Sequence, residues 1–367
     1  MKQMGKLQTT IATLMVGLVW GASPVLAQGA PGGQLTTGLS YSDKYGATTF
    51  ISLEGQDILQ TGISARLNYR AGSEGHGAGL RVAKSFTLGE GWPGQNPELR
   101  ISVFGESSDW DFQPYAEKTR GISVLYGAEV SDKLSFETEL FFHRDELSDL
   151  DGSVSPLIAA DAGRSDVLGV GAGLTWSNKQ GGGLLDTGTS LSFDIGASLS
   201  GGNRRGWHRF AAAVDSTHRL VGASVVNFSL GTGMIRGQGN DGYVSILDRA
   251  FTADTAPRGF AWGGAGPIAP GTDEALGGTR YLNGSLEVRM PLPREGLSVG
   301  LFADAGSVWD LPGVAGVDDD LHIRTSAGIS LHWQTKFGRL EAAYAEPIKT
   351  REGDKTQRFS ISLNAVF

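Results

Sequence analysis

The end of the chain alternates without interruption: Phe359, Ile361, Leu363, Ala365 and Phe367 share one face, and Arg358, Ser360, Ser362 and Asn364 share the other. Successive side chains of a β-strand point to opposite faces, so a period of two specifies a strand and excludes an amphipathic helix. The same period recurs upstream. Thr325, Ala327, Ile329, Leu331 and Trp333 oppose Arg324, Ser326, Ser330 and His332, while Leu340, Ala342 and Tyr344 oppose Arg339 and Glu341. Near the start, Leu35, Thr37, Leu39 and Tyr41 alternate with Gln34, Thr36, Gly38 and Ser40. Each apolar face needs cover, either from a second sheet, as in a soluble sandwich, or from lipid, as in a transmembrane barrel. Two features favour the barrel. The opposite faces carry Gly, Ser, Arg and Glu on strand after strand, as a polar lumen requires. The strands also run to about ten residues, beyond the ~5–6 usual in soluble sheets and enough to cross a bilayer at a tilt.

Composition narrows the choice further. The mean hydropathy of −0.12 excludes a bundle of membrane helices, each of which needs ~20 apolar residues in succession. The absence of Cys excludes a disulfide scaffold. Candidate strands fall at 35–43, 45–54, 60–71, 77–87, 97–105, 117–130, 133–143, 164–177, 186–200, 206–217, 221–235, 279–291, 296–309, 322–334, 337–347 and 357–367. That is about sixteen, with fourteen the neighbouring even count. The expectation is one all-β transmembrane antiparallel barrel over residues 28–367, with both termini in the periplasm because the strand number is even. Connections at 144–163, 236–278 and 310–321 are then extracellular, and Ser131-Asp132 and Thr335-Lys336 are periplasmic turns.

Residues 1–27 read as a secretory signal: Lys2 and Lys6 start it, residues 11–20 are an apolar stretch too short to span a bilayer, and Val25-Leu26-Ala27 precedes the cleavage site. Its removal leaves 29 basic side chains against 39 acidic ones, with no basic stripe, so nucleic acid is not an expected partner.

The connection at 236–278 far exceeds an ordinary loop, and loops of that length are usually functional. It holds Pro257-Arg258-Gly259-Phe260. Strand twelve then carries Gly284-Ser285-Leu286-Glu287, and strand thirteen Phe302-Ala303-Asp304-Ala305-Gly306. Alternation sends Leu286, Val288, Leu301, Ala303 and Ala305 outward and Glu287 and Asp304 inward, so two carboxylates on neighbouring strands face one lumen. On residue types alone two arrangements stay open. Arg258 could bridge the two acids with its planar fork, or it could lie in solvated loop while the acids line a wet pore.

These motifs resemble those of the BamA/TamA superfamily of outer-membrane assembly and translocation barrels, also called the bacterial surface antigen family. The resemblance is specific over 247–367, where it extends to Trp333-x-x-x-Phe337-Gly-x-Leu340, Tyr344-Ala345-x-Pro347 and Gly353-Asp354-Lys355-Thr356-Gln357-Arg358-Phe359. Residues 28–246 match in strand pattern only. The resemblance implies that the long loop folds back into the lumen, that Arg258 at its Arg258-Gly259-Phe260 tip engages Glu287 and Asp304, and that Phe302 packs beside the guanidinium with Gly306 completing the motif. Pro257 stands where the family prefers a β-branched residue, which would alter the tip's entry angle. Family members carry periplasmic POTRA modules ahead of the barrel; residues 28–33 leave no room for one, so a short form without POTRA domains is expected.

The implied activity is protein insertion into, or translocation across, the bacterial outer membrane through a seam between the first and last strands. A passive pore or structural barrel that keeps only the fold, and an anchor for a separately encoded partner, are the alternatives. Leu363-x-Ala365-x-Phe367 resembles the C-terminal signal read by the barrel assembly machinery, which makes that machinery the chain's own insertase. Outer-membrane lipid and lipopolysaccharide are expected partners, together with a client or periplasmic protein. No enzyme, cofactor or metal is expected: the His residues lack metal spacing, and no hydrolase or phosphate-loop motif occurs. Gly75-His76-Gly77-Ala78-Gly79 reads as a turn and strand start, Asp318-Asp319-Asp320 as solvated loop, and His143-Arg144-Asp145-Glu146 as a charged strand rim.

Overall fold

The computed structural model describes residues 33–42, 46–86, 94–110, 113–179, 183, 185–252, 257–335 and 338–366. The expected signal segment and Phe367 lie outside them, as do the side chain of Ala365 and the motif residue Phe337. Sixteen strands form the wall: β1 (Gln34–Ser42), β2 (Gly46–Gly55), β3 (Ile63–Gly72), β4 (Gly75–Ser85), β5 (Gln95–Asp109), β6 (Ala116–Ser131), β7 (Leu134–Ser148), β8 (Gly163–Ser177), β9 (Gly188–Ser198), β10 (Trp207–Arg219), β11 (Val225–Gly237), β12 (Arg280–Pro291), β13 (Leu297–Trp309), β14 (Arg324–Thr335), β15 (Gly338–Lys349) and β16 (Phe359–Val366). Each pairs antiparallel with its sequence neighbours, and β1 pairs with β16 to close the barrel. Closure leaves no free sheet edge, which is what allows strands to cross lipid. Among the described residues no helix is long and apolar enough to span a membrane.

Alternation sorts the wall as the sequence predicts. Leu286 is 50 % exposed and its neighbour Glu287 2 %; Leu301 is 54 % exposed and Phe302 5 %. Leu39, Ile51, Leu67, Ile195 and Ile329 also face outward, where lipid replaces water and the exposed apolar belt carries no solvation cost. The strand count is sixteen, and the differences from expectation lie in the strand ends. β5 and β7 continue beyond 97–105 and 133–143, so the expected loop at 144–163 contracts to 149–162. Above the bilayer these strands keep pairing with β6 while their outward positions change from apolar to Gly105 and Ser107 on β5 and to Arg144 and Glu146 on β7, and hydropathy alone places the boundary too early. β3 starts at Ile63 rather than residue 60, because Gln60 and Gly62 take positive φ in the preceding turn.

Packing inside the barrel concentrates at its extracellular end. Tyr115, Leu147, Ile158, Ile246, Ala269, Leu276 and Leu311 form one buried cluster drawn mainly from the connections between strands. The short helix Pro156–Ala159, capped by Ser155 Oγ accepting from the Leu157 amide, puts Ile158 into it. The long connection after β11 therefore rests on a hydrophobic base before it descends into the lumen.

Candidate functional site

The long connection reaches the lumen wall at residues 257–260. Gly259 and Phe260 pair antiparallel with Thr356 and Gln357, from the connection between β15 and β16. Gly259 has φ +91°, and a Cβ there would lie 3.1 Å from that of Ala345, so glycine meets both the backbone and the space requirement. Phe260 is 8 % exposed. This ribbon orients the residue before it, Arg258, toward β12 and β13.

Arg258 is buried, and its polar atoms are used. Its amide and Nε donate to Asp304 Oδ2 at 3.0 and 2.7 Å, and Nη2 donates to Asp304 Oδ1 at 3.0 Å. Nη1 donates to Glu287 Oε2 at 3.4 Å, and Nη2 also donates to Ser285 Oγ at 3.1 Å. The Asp304 contact is a bidentate fork, in which a planar guanidinium fixes direction as well as charge. The Phe302 ring lies under the guanidinium, its centroid 3.4 Å from Cζ, in a cation–π arrangement. Pro257 is fully buried and packs on Gly306, where a Cβ would come within 2.7 Å of the proline Cδ. Of the residues singled out from sequence, Arg258, Gly259, Phe260, Glu287, Phe302, Asp304 and Gly306 thus converge on one place. Leu363 and Ala365 lie elsewhere, on the β16 ladder opposite Tyr41 and Leu39.

Five further residues complete this centre. Glu287 Oε1 contacts His332 Nε2 at 2.7 Å and accepts from Ser330 Oγ, while its Oε2 accepts from Arg289 Nη2 at 3.2 Å. His332 Nδ1 faces Glu341 at 3.4 Å, and Glu341 in turn is 3.9 Å from Arg258. Ser285 is the fifth. Glycines clear the path for these contacts: a Cβ on Gly300 would stand 2.2 Å from both Glu287 Oε1 and Ser330 Oγ. Alternation had put Ser330, His332 and Glu341 on the inward face, but nothing in the spacing showed that they share a height.

A second polar cluster lies nearer the extracellular end and corrects the reading of His143-Arg144-Asp145-Glu146 as rim. Only Arg144 and Glu146 point outward; His143 and Asp145 are buried. His143 Nδ1 contacts Asp145 at 3.0 Å, and Asp145 accepts from Arg205 of the connection between β9 and β10. Arg205 also grips Asp248 of the long loop, at 2.7 Å from Nε and 3.0 Å from Nη2. Burial holds the Asp248 carboxyl above the ordinary carboxylate range, against the pull of Arg205. Arg324 and Asp354 form a third buried pair at 2.8 Å. Asp318 and Asp320 are exposed beside His322.

Gly306 provides a direct test of the tip's seating. Gly306→Val should expel Pro257 and lower the temperature at which the barrel loses its folded mobility on gels, whereas Gly152→Val, where a Cβ meets nothing within 4 Å and φ is not positive, serves only as a surface control. Equal shifts in the two variants would refute the Pro257 contact.

Comparison with known proteins gives the family and the fold. The family model described as the Omp85 superfamily domain matches residues 57–367. The outer membrane protein assembly factor BamA of Neorickettsia risticii is 30% identical over 152 residues, covering 40% of this chain and 20% of the relative. BamA of Neisseria meningitidis serogroup B is 29% identical over 138 residues, covering 30% of this chain and 17% of that protein. The chain therefore spans about a fifth of the length of these relatives. Among solved structures, Haemophilus ducreyi BamA lacking POTRA domains 1–3 superposes with a TM-score of 0.80 at 21% identity, covering 92% of this chain and 71% of that one. CdiB from Acinetobacter baumannii gives 0.58 at 12% identity, covering 91% and 59%. Both structural likenesses concern the fold.

Proposed function

The chain belongs to the Omp85 superfamily and is a barrel of the bacterial outer membrane, and on that premise we propose that it inserts proteins into this membrane or passes them across it through the seam between β1 and β16. The observation that carries the reading is the seam itself. β1 pairs with β2 along its whole length, from Gln34 with Glu54 to Ser42 with Gly46. Toward β16, among the described residues, pairing runs only from Gly38 with Val366 to Tyr41 with Leu363. Each ladder step lost at a strand edge exposes backbone donors and acceptors that an incoming strand can satisfy. The wall is thus easiest to part where its first and last strands meet.

In this reading the Arg258 tip braces the lumen beside the seam. It bonds to β12 and β13, and its ribbon partner Thr356–Gln357 immediately precedes β16. The curated relatives are named assembly factors, which supports insertion. The factor works without covalent chemistry, by offering an edge and thinning the barrier to entry, and its client arrives unfolded from the periplasm.

The test uses the absence of native Cys. Ser40 lies opposite Asn364 across the seam, so the pair Ser40→Cys with Asn364→Cys should form a disulfide there. In lipid vesicles holding the purified protein, oxidation should stop the accelerated folding of an added, urea-denatured outer-membrane barrel, and reduction should restore it. Folding at the same rate in both states would sink the proposal and favour a passive pore.

A further inference from the structure

We propose that the outer face of β6, β7 and β8 is a binding site for a phosphate-bearing lipid of the outer leaflet. On these three strands the outward positions, Thr138 excepted, are apolar over residues 122–130, 134–142 and 168–176, each about the length of a bilayer crossing. Register aligns the ends of these stretches: Ile122 lies opposite Phe142, and Phe142 opposite Leu168.

Immediately beyond them, on the extracellular side, charge begins abruptly. Arg120 lies opposite Arg144 and Arg144 opposite Asp166, and a backbone β-bridge sets Arg204, from the connection after β9, beside Asp166. One row further out, Lys118 lies opposite Glu146, and Glu146 opposite Arg164. Arg144 forks onto Asp166 at 2.6 and 2.9 Å, and Arg164 reaches Glu146 at 3.1 Å. Five cations thus meet two carboxylates. Lys118, Arg120 and Arg204 remain exposed beyond what those acids neutralise, in a chain of net charge −8.

The patch is local. At the corresponding outer ends of β1 to β5 the outward positions hold Tyr41, Ala47, Ala71, His76 and Ser107. A general preference for charge at the membrane edge would not leave these five described strand ends without Lys or Arg. Two rows of cations at the boundary of an apolar strip fit a ligand with phosphate at one end and acyl chains at the other. The forks suit phosphate oxygens, and the strip below takes the chains. A free anion would have no use for the strip.

The experiment incubates the purified barrel in neutral detergent with lipid A bearing two phosphates, with its dephosphorylated counterpart, or with inorganic phosphate, and counts retained lipid by native mass spectrometry. The native chain should retain the phosphorylated lipid selectively. The triple variant Lys118→Gln, Arg120→Gln, Arg204→Gln should lose about fivefold in affinity for each cation removed, while Arg236→Gln, exposed on β11, should change nothing. Heat-dependent gel mobility verifies that each variant is folded, and the milder Arg120→Gln alone covers the case in which the triple variant is not. Equal retention of the dephosphorylated lipid, competition by inorganic phosphate as effective as that by the lipid, or undiminished binding by Arg120→Gln and the triple variant would each overturn the proposal.

Discussion

Arg258→Ala should detach the tip of the long loop and reduce the stability of the folded barrel by about 3–5 kcal/mol, the usual cost of removing one partner from a buried charge set. The side chain supplies donors to Asp304, Glu287 and Ser285, and Asp304 and Glu287 are 3 % and 2 % exposed. The variant leaves these carboxylates in the lumen with less compensation, and it strips the Phe302 ring of the cation above it. Most of the loss should come from uncompensated charge rather than from the missing bonds. Adding Asp304→Asn to Arg258→Ala should therefore recover stability, whereas Asp304→Asn alone should cost it. Arg258→Lys should fall between, since an ammonium cannot form the fork to Asp304 and reach Glu287 as well. Thermal unfolding followed by gel mobility measures all four. A double variant no more stable than Arg258→Ala would show that the charge argument is wrong.

Much of this was legible in the chain because alternation reports the facing of a residue directly. Glu287 and Asp304 are inward on adjacent strands whatever the barrel's size, so two facing carboxylates were readable before any fold was known, while the cation between them followed only from the family resemblance. Alternation does not report height. Glu287 reaches His332 and Ser330 on β14 by passing over Gly300 of β13. That contact depends on the stagger of two successive ladders and on one missing side chain. The pairing of Gly259 and Phe260 with Thr356 and Gln357 was hidden for a related reason: two-residue ribbons carry no periodicity to detect.

His143 and Asp145 failed differently. A run of His-Arg-Asp-Glu looks like a single charged segment, yet on an extended strand it is two pairs facing opposite ways. Arg204 and Arg205 divide in the same manner: Arg204, whose backbone forms a β-bridge with Asp166, is exposed on the outer rim, and Arg205 turns in to Asp145 and Asp248. Had the strand been continued to Ser148, the inward pair would have been seen as a second place where the long loop could be held.

That second place gives the other large expected effect. The loop is fastened at Asp248 by Arg205 and at its tip by Arg258, through different wall strands. With either anchor cut, the other keeps the freed segment close to its site at high effective concentration, and the loop should reclose. With both cut, reclosure must overcome the closure entropy of the whole connection. Arg205→Ala and Arg258→Ala should each raise single-channel conductance slightly and in brief events, and the double variant should produce long open states exceeding the sum of the two. Arg205→Ala should also depend on pH in a defined sense. Burial already raises the Asp248 carboxyl, and without Arg205 its protonated form is the one the fold favours. The variant should regain stability as pH falls and lose it as pH rises through the folded-state value. Strictly additive openings in the double variant would mean that the anchors hold separate pieces, and that the loop does not move as one plug.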